Sequence, residues 1–447
     1  MISQHLVEEV LEESRRKGAT EADVVALDNE LVSVQVRLGE IDMLRSARES
    51  RVGLRLFSGK RSATSSTSDL SKDSLKRLVE DTYTLATATA HDEFSGLPSL
   101  EECAGSVPEL DLYDSGGEIL SLDERIDRAK AAETAALSYD PRITNSEGAE
   151  FASNLYRVIY GSSRGFLREY RGSAFSLAVT PIATWDGAMQ RDYWYTYARN
   201  LSSLESPEAI GKLAAERTVR RLGARKITTR EVPVVFDPET AGSLIRTICS
   251  AVSGPSLYRG ASFLIDRLGD RIAAETVSIY DDGTLPRHLG SRPFDGEGLS
   301  TRRTAVFENG LLQSYLLDTY SARKLKLAPT ASATRGVGDV PTVGPTNFFL
   351  QAGPHDPADI IRSVDAGLYV TELIGPGINL VTGDYSRGAV GFWIDKGELA
   401  YPVEEITVAG NLKEMLREIE MVGRDLTFRG SVVAPTLKIR RMTVAGH

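Results

Sequence analysis

Hydrophobic residues near the start of the chain recur three and four positions apart and then give way to strict alternation. The first spacing predicts a helix that Gly18 ends. Residues 31–38 and 51–57 alternate apolar and polar side chains, which predicts two strands that each bury one face. A second helix is predicted over residues 71–90. Together these elements form a first mixed unit of helices and a strand meander, residues 1–100.

A predicted linker separates the first unit from the second. Residues 91–117 are rich in glycine, proline, serine and acidic side chains, a composition typical of loops. Ser121 followed by Glu124 is a capping-box pattern, which predicts the start of a helix. Residues 144–197 then alternate apolar runs with turn residues, which predicts a series of hairpins. These features define a central helix-plus-strand-meander domain, residues 118–226.

Short strands and glycine-containing turns dominate the last predicted domain, residues 231–447. Asp237 and Pro238 together form a cap and first turn, which predicts a helix start. Asn309 and Gly310 stand between two apolar runs and give the strongest hairpin signal in the chain. The predicted fold class is therefore α+β, with N-terminal mixed helix and strand-meander units followed by a strand-rich C-terminal domain with short helices.

The amino-acid composition argues against several classes of protein, among them nonspecific nucleic-acid binders, membrane proteins and disulfide-rich domains. The chain has 447 residues and a formal net charge of −10, which argues against broad, nonspecific attraction to nucleic acid or anionic membrane. Its two cysteines, Cys103 and Cys249, are too few for a disulfide framework and offer no CxxC pair for zinc. No uninterrupted apolar stretch reads as a signal peptide or a membrane span. We expect a cytoplasmic protein.

Familiar catalytic motifs are absent or accidental. No two of the five histidines lie within one helical turn, so HExxH geometry is missing. Residues 161–165 match GxSxG, but predicted strands flank them on both sides, which favours a hairpin turn over a nucleophile elbow. The histidines are expected to be ordinary surface or loop residues: His5, His91, His288, His355 and His447.

Two acidic turns punctuated by glycine are the remaining clusters of chemical interest. They contain Asp281, Asp282, Asp295 and Glu297. Clustered carboxylates bind cations, whereas a solvated turn is the commoner role of such a sequence. The residues themselves leave both roles open.

Several idiosyncratic segments carry a resemblance to a known family. In order along nearly the whole chain, they are similar to segments of the TldD/PmbA family, described as cytosolic metallopeptidases and as modulators of DNA gyrase. These segments are residues 53–61, 190–195, 281–286, 294–298, 317–325, 382–394 and 401–412.

Within that family, TldD-like chains carry HExxxH on a helix and a late cysteine that together bind zinc, whereas TldE (PmbA)-like chains lack these ligands. This chain resembles the second kind. Cys249 falls near the first histidine of the motif, Ser250 near the glutamate and Gly254 near the second histidine, and the late segment 428–437 contains no cysteine. The resemblance therefore implies that this chain has no catalytic residue and no metal ligand of its own.

The resemblance also implies a partner. We expect a heterodimer with a TldD-like, HExxxH-bearing subunit that holds the zinc, or a homodimer, with unfolded peptides as substrates and no direct contact with nucleic acid or membrane. The leading hypothesis is a non-catalytic subunit of a cytosolic zinc metallopeptidase. A second is a non-proteolytic adaptor that modulates DNA gyrase or a toxin-antitoxin system. A third is an autonomous hydrolase that uses Asp295 and Glu297, or Cys249.

Other charged residues are expected to support glycine-rich loops instead of chemistry. Polar side chains buried in such loops need partners, so we expect internal ion pairs or cavity-lining positions for Arg323, Asp384 and Arg387.

Overall fold

The structure is a computed structural model and describes residues 2–103, 105–106 and 108–446. Its helices are α1 (Gln4–Lys17), α2 (Lys72–Ala88), α3 (Gly116–Ile119), α4 (Leu122–Leu137), α5 (Pro207–Val219), α6 (Pro238–Ala251), α7 (Gly254–Tyr258), α8 (Thr319–Leu325), α9 (Pro357–Arg362) and α10 (Leu412–Arg417). Its strands are β1 (Glu21–Arg37), β2 (Glu40–Ser58), β3 (Arg61–Thr67), β4 (Ile143–Ser162), β5 (Leu167–Trp185), β6 (Ala188–Arg191), β7 (Trp194–Ala198), β8 (Arg230–Phe236), β9 (Ile279–Asp282), β10 (Arg303–Glu308), β11 (Leu311–Leu312), β12 (Ala333–Thr334), β13 (Thr342–Val343), β14 (Phe348–Leu350), β15 (Ala366–Ile374), β16 (Asp384–Asp395), β17 (Glu398–Asn411), β18 (Ile419–Val422), β19 (Val432–Val433) and β20 (Leu437–Ala445).

The first seven strands form one curled antiparallel sheet in the order β3-β2-β1-β4-β5-β6, with β7 paired to β5. Strand β1 pairs with β4 across the predicted linker, so the first two predicted units share a sheet. Helices α1, α2, α4 and α5 cover one face, where even-numbered side chains of β1 such as Val24 and Val34 are fully buried. Odd-numbered side chains of β1 point to the opposite face, because strand side chains alternate.

The predicted N-terminal elements are present, and the strands are longer than predicted. Helix α1 ends at Gly18, whose φ of 106° requires the left-handed conformation that glycine adopts readily. Ser121 and Glu124 form the predicted capping box of α4. Strand β1 begins at Glu21, ten residues before the predicted alternation, because pairing with both β2 and β4 extends the sheet through Asp23.

The C-terminal domain contains a closed sheet. Its strands run in the order β17-β16-β15-β8-β20-β18, and an additional pairing between β17 and β20 closes them into a barrel. Helix α6 begins at the predicted Asp237 cap and packs its apolar face into this core. A five-stranded sheet, β11-β10-β9-β14-β19, lies beside the barrel. The α+β class and the strand-rich C-terminal domain are confirmed.

Local hairpin chemistry is also confirmed. Asn309 and Gly310 connect β10 to β11 with φ values of 48° and 79°, the positive values that a tight two-residue hairpin requires. Residues 161–165 form the turn between β4 and β5, as predicted, with no strand-to-helix elbow. Over the described ranges, no helix is long and apolar enough to cross a membrane.

Candidate functional site

The acidic turn at residues 295–298 is buried between the N-terminal sheet and the C-terminal domain. Asp295 is 3% exposed and Glu297 is 2% exposed, so the turn is not solvated. Asp295 accepts backbone N–H groups on both oxygens, from Glu297 at 2.9 Å, from Leu299 at 3.0 Å and from Ala333 at 3.0 Å. Gly298 has a φ of 87°, and a Cβ there would lie 2.8 Å from the Tyr160 ring.

Glu297 joins a buried network of four charges that crosses this junction. The Arg55 guanidinium holds Asp23 with its Nε and Nη2 atoms, the latter at 2.6 Å from Oδ2. Arg55 also lies 3.5 Å from Glu297 Oε1, and Arg335 Nη1 lies 3.0 Å from Asp23 Oδ1. Tyr160 donates its hydroxyl to Asp23 at 3.1 Å. Three strands of the sheet and the loop that carries Arg335 therefore meet at the Asp23 carboxylate, and the loop that carries Glu297 joins them through Arg55.

The pKa values of the two aspartates of the junction shift in opposite directions. Burial raises the pKa of Asp295 to about 7, and the neighbouring Glu297 carboxylate adds to the shift. Burial also opposes ionisation of Asp23, but Arg335 and Arg55 outweigh it and lower the pKa of that carboxyl. A charged pair on the sheet thus coexists with an easily protonated acid on the opposing loop.

Sequence reasoning missed the sheet half of this site. Asp23, Arg55 and Tyr160 each alternate with apolar neighbours along a strand, and that pattern normally indicates a solvated face. The face is covered instead by the loops that carry Glu297 and Arg335. The only feature of the sequence that could have indicated this buried network is a charged residue between apolar neighbours on each of two adjacent strands, Asp23 on β1 and Arg55 on β2.

The other acidic turn has its own partners. Asp281 is buried, accepts the backbone N–H of Thr346 at 2.8 Å, and has a pKa raised by burial to about 6. Asp282 accepts the N–H and hydroxyl of Thr284 and is 5% exposed. These bonds fix the end of β9 and do not join the network of four charges.

The remaining charged candidates form hydrogen bonds mainly with neutral groups. Arg323 donates to the carbonyls of residues 94, 96 and 97, which attaches the predicted linker to α8. Asp384 is exposed and accepts from Thr382 and Asn411. Arg387 donates to the carbonyls of residues 373 and 375 and to the Ser243 hydroxyl. The expected internal ion pair therefore does not form among these three residues.

The three degenerate motif positions point in different directions. Cys249 is buried in the barrel core, where burial and the nearby Asp281 raise the pKa of its thiol. Ser250 is exposed and donates to the Arg246 carbonyl. Gly254 begins α7, and a Cβ there would lie 2.3 Å from Ser321 Oγ, so the position has no room for an imidazole.

Comparison with known proteins covers all three parts of the chain. Family models match residues 22–86 as PmbA/TldA metallopeptidase domain 1, residues 117–222 as the central domain, and residues 229–446 as the C-terminal domain. The chain belongs to the PmbA/TldD family.

Relatives in this family align along nearly the full length. The chain is 38% identical to Metalloprotease PmbA of Escherichia coli O157:H7 over 95% of this chain and 92% of the relative. It is 37% identical to the Haemophilus influenzae PmbA homologue over 96% and 93%, respectively. A Bacteroides thetaiotaomicron protein described as a candidate modulator of DNA gyrase superposes with a TM-score of 0.93 at 28% identity, over 100% of both chains. TldE of Thermococcus kodakarensis shares the fold, with a TM-score of 0.90 at 22% identity over 99% and 100%.

Zinc, the metal that the metallopeptidase family implies, does not fit the motif positions of this member. A catalytic zinc takes three protein ligands that converge on one point, whereas Cys249, Ser250 and Gly254 diverge. Among residues that the structure describes, no three His, Cys, Asp or Glu side chains form a group that could hold a metal ion. The described histidines lie apart from one another and His447 lies outside the described residues.

Proposed function

We propose that this chain is the non-catalytic subunit of a cytosolic TldD/TldE-type zinc metallopeptidase that processes unfolded peptides. It contributes structure and substrate access, and a TldD-like subunit with HExxxH contributes the zinc. A homodimer of this chain is the alternative assembly. Membership in the PmbA/TldD family supports the peptidase class.

One observation carries the proposal. The helix segment that would hold the metal ligands has its thiol in the barrel core, its hydroxyl in solvent and its glycine against α8. A water activated on zinc needs a converging ligand set and a carboxylate base, and this segment supplies neither. Asp295 and Glu297 do not replace them, because backbone N–H groups and Arg55 already use their oxygens.

Co-purification with a TldD-like chain from the same source tests the proposal. We expect the single chain to bind no stoichiometric zinc and to cleave no unfolded peptide. The complex should show both properties and lose cleavage with a chelator. Zinc or peptidase activity in the single chain, or no association between the two chains, would contradict the proposal.

Two variants sharpen that test. Ser250→Ala in this chain should leave turnover by the complex unchanged, because the Ser250 hydroxyl donates only to the Arg246 carbonyl of its own helix. Replacement of the HExxxH glutamate in the TldD-like chain should abolish turnover while leaving the complex intact. Loss of turnover in the Ser250 variant would show that this chain takes part in the chemistry.

An adaptor that modulates DNA gyrase is the second candidate, favoured by the description of the Bacteroides relative. The net charge of −10 disfavours direct DNA contact, so a protein partner is required. Capture of purified gyrase by the single chain at high salt, with no TldD-like chain present, would support this role over the peptidase role.

A further inference from the structure

A small cleft adjoins the buried network at the junction. Its volume is about 130 Å³, the space of roughly four water molecules at about 30 Å³ each. One side is the face of the N-terminal sheet that carries odd-numbered β1 residues, and the other is formed by the loops at 292–296 and 334–337. Two arginines, one acid and three aromatic rings stand out among its lining residues: Arg292, Arg335, Asp295, Tyr160, Tyr170 and Phe294.

Both arginines of the cleft leave the same pair of atoms without a hydrogen-bond partner. Nε and Nη2 of Arg292, and Nε and Nη2 of Arg335, are buried and donate to no acceptor within the protein. The Arg335 side chain is only 4% exposed, and its single ion pair uses Nη1. Nε and Nη2 form the side-on fork that binds the two oxygens of a carboxylate. Buried unpaired donors are costly, so two such forks at one cleft point to a missing acceptor.

In the adjoining buried network, the equivalent pair of nitrogen atoms in Arg55 is bound to a carboxylate. Its Nε and Nη2 both bind the Asp23 carboxylate, in the bidentate arrangement that Arg292 and Arg335 lack. No acidic side chain of the described chain lies within ion-pair distance of Arg292. Asp295 does not fill the open forks: its oxygens accept three backbone N–H groups, and the Arg292 charge acts on it without a hydrogen bond to the Arg292 fork atoms.

We propose that this cleft binds a carboxylate attached to a small apolar group, with Arg292 and Arg335 as its anchors. The apolar group packs against Val158, Tyr170 and Phe294, which line the same cleft. Solvent does not reach the four fork nitrogens in the unliganded protein, so the carboxylate reaches them after small side-chain rotations, a common accompaniment of binding. A phosphate dianion fits less well, because Asp295 lines the same cleft and its carboxylate repels a double negative charge more strongly than a single one.

The same chemistry has two sources: a free small carboxylic acid or the C-terminal residue of a peptide. All residues of the site belong to this chain. The inference therefore goes beyond the proposed function and can be tested on the single chain without a partner subunit.

Isothermal titration calorimetry of the full single chain tests the site. The free-acid arm compares 4-methylpentanoate with its neutral amide, and the peptide arm compares N-acetyl-leucine with N-acetyl-leucinamide. We expect the carboxylate of at least one arm to bind about 10- to 100-fold more tightly than its amide, the range of a charged hydrogen-bond pair. The tighter of the two carboxylates identifies the source. Binding of neither carboxylate, equal binding of acid and amide, or tighter binding of inorganic phosphate would overturn the proposal.

Matched variants locate the binding. Arg292→Gln should weaken carboxylate binding about 10- to 100-fold and leave amide binding unchanged. Because the Arg292 charge also acts on the buried Asp281 and Asp295, urea denaturation of the variant checks that it remains folded. Arg335→Lys keeps the positive charge beside Asp23 but removes the fork, and it should weaken binding comparably. Arg302→Gln, at an exposed position of the same domain, should have no effect. Wild-type affinity in both cleft variants would overturn the assignment.

Discussion

Asp23 is the single carboxylate on which the junction depends. Its oxygens bind Arg55, Arg335 and Tyr160, and it is fully buried. Two arginines from different parts of the chain share it, so its removal leaves both partly uncompensated in a water-excluded site. Removal of one charge from a buried pair therefore destabilises a protein far more than loss of an exposed ion pair does.

The first prediction concerns that carboxylate. Asp23→Asn should lower the free energy of unfolding by about 3 to 5 kcal/mol, because it leaves buried positive charge without its counterion. Urea denaturation monitored by fluorescence measures the change. Glu147→Gln, which breaks the exposed Arg191–Glu147 pair, is the matched control and should leave the midpoint unchanged. A small effect at Asp23 would mean that water reaches the network.

The second prediction concerns pH at Asp295. Its pKa is about 7 in the folded chain and about 4 when unfolded, so between these values the folded chain holds a proton that the unfolded chain has released. Stability from this group therefore falls as pH rises through that window, by at most about 1.4 kcal/mol per unit. Asp295→Asn removes this dependence.

Urea midpoints of wild type and Asp295→Asn at about pH 5 and about pH 7 measure it. The variant loses acceptor capacity at both pH values, but relative to wild type it should gain stability at the higher one. The other acids whose pKa is raised by burial, Asp237, Asp281 and Asp318, are present in both proteins, so their contributions cancel. A stability difference that is independent of pH would contradict a raised pKa at Asp295.

At the scale of elements, two glycines in hairpin turns allow the cost of backbone strain to be measured separately from the cost of a packing clash. Gly187 and Gly310 both have positive φ, 78° and 79°. A Cβ at Gly187 would meet nothing within 4 Å, whereas one at Gly310 would lie 2.3 Å from the carbonyl oxygen of Ala273. The local sequence therefore determines the conformation of the β10–β11 turn, whereas packing against the distant Ala273 carbonyl determines how little space surrounds it.

The third prediction uses this pair. Gly187→Ala should cost about 1 to 2 kcal/mol of unfolding free energy from left-handed strain alone. Gly310→Ala should cost the same plus about 1 to 3 kcal/mol from the clash with the Ala273 carbonyl. Thermal or urea denaturation of both variants checks the difference. Equal losses would show that the loop before β9, which contains Ala273, moves away at little cost.

At the scale of the whole molecule, the N-terminal sheet and the C-terminal domain approach each other backbone to backbone. A Cβ at Gly53 on β2 would lie only 2.4 Å from the backbone nitrogen of Gly338. This contact brings the loop that carries Arg335 onto the sheet, next to Asp23 and the cleft. The 334–338 loop can therefore pack on the sheet only because residue 53 is a glycine without a side chain, and the Arg335–Asp23 ion pair adds to this contact.

The fourth prediction tests that docking. Gly53→Ala should push the 334–338 loop off the sheet and raise amide hydrogen exchange in that loop and around Glu297, because packed interfaces tolerate added methyl groups poorly. Gly430→Ala, at a position with nothing within 4 Å of a Cβ, is the control and should leave exchange unchanged. Unaltered exchange in the Gly53 variant would mean that the junction is already open in solution.

Local patterns in the sequence determined the helices, caps and hairpins of this protein. Gly18, Ser121 with Glu124, Asp237 and the Asn309–Gly310 turn act within a few residues of themselves, so their signals can be read directly. The resemblance of segments along the chain likewise sufficed for the family.

Only the tertiary structure decided the junction and its cleft. Asp23 and Arg335 are separated by 312 positions in the chain, and nothing local records that they meet. Alternation marked one face of β1 as polar and therefore solvated, but the loops at 294–298 and 333–338 cover it. Whether a charged residue faces water or a counterion depends on which distant segment packs over it, and that choice is made by the folded chain as a whole.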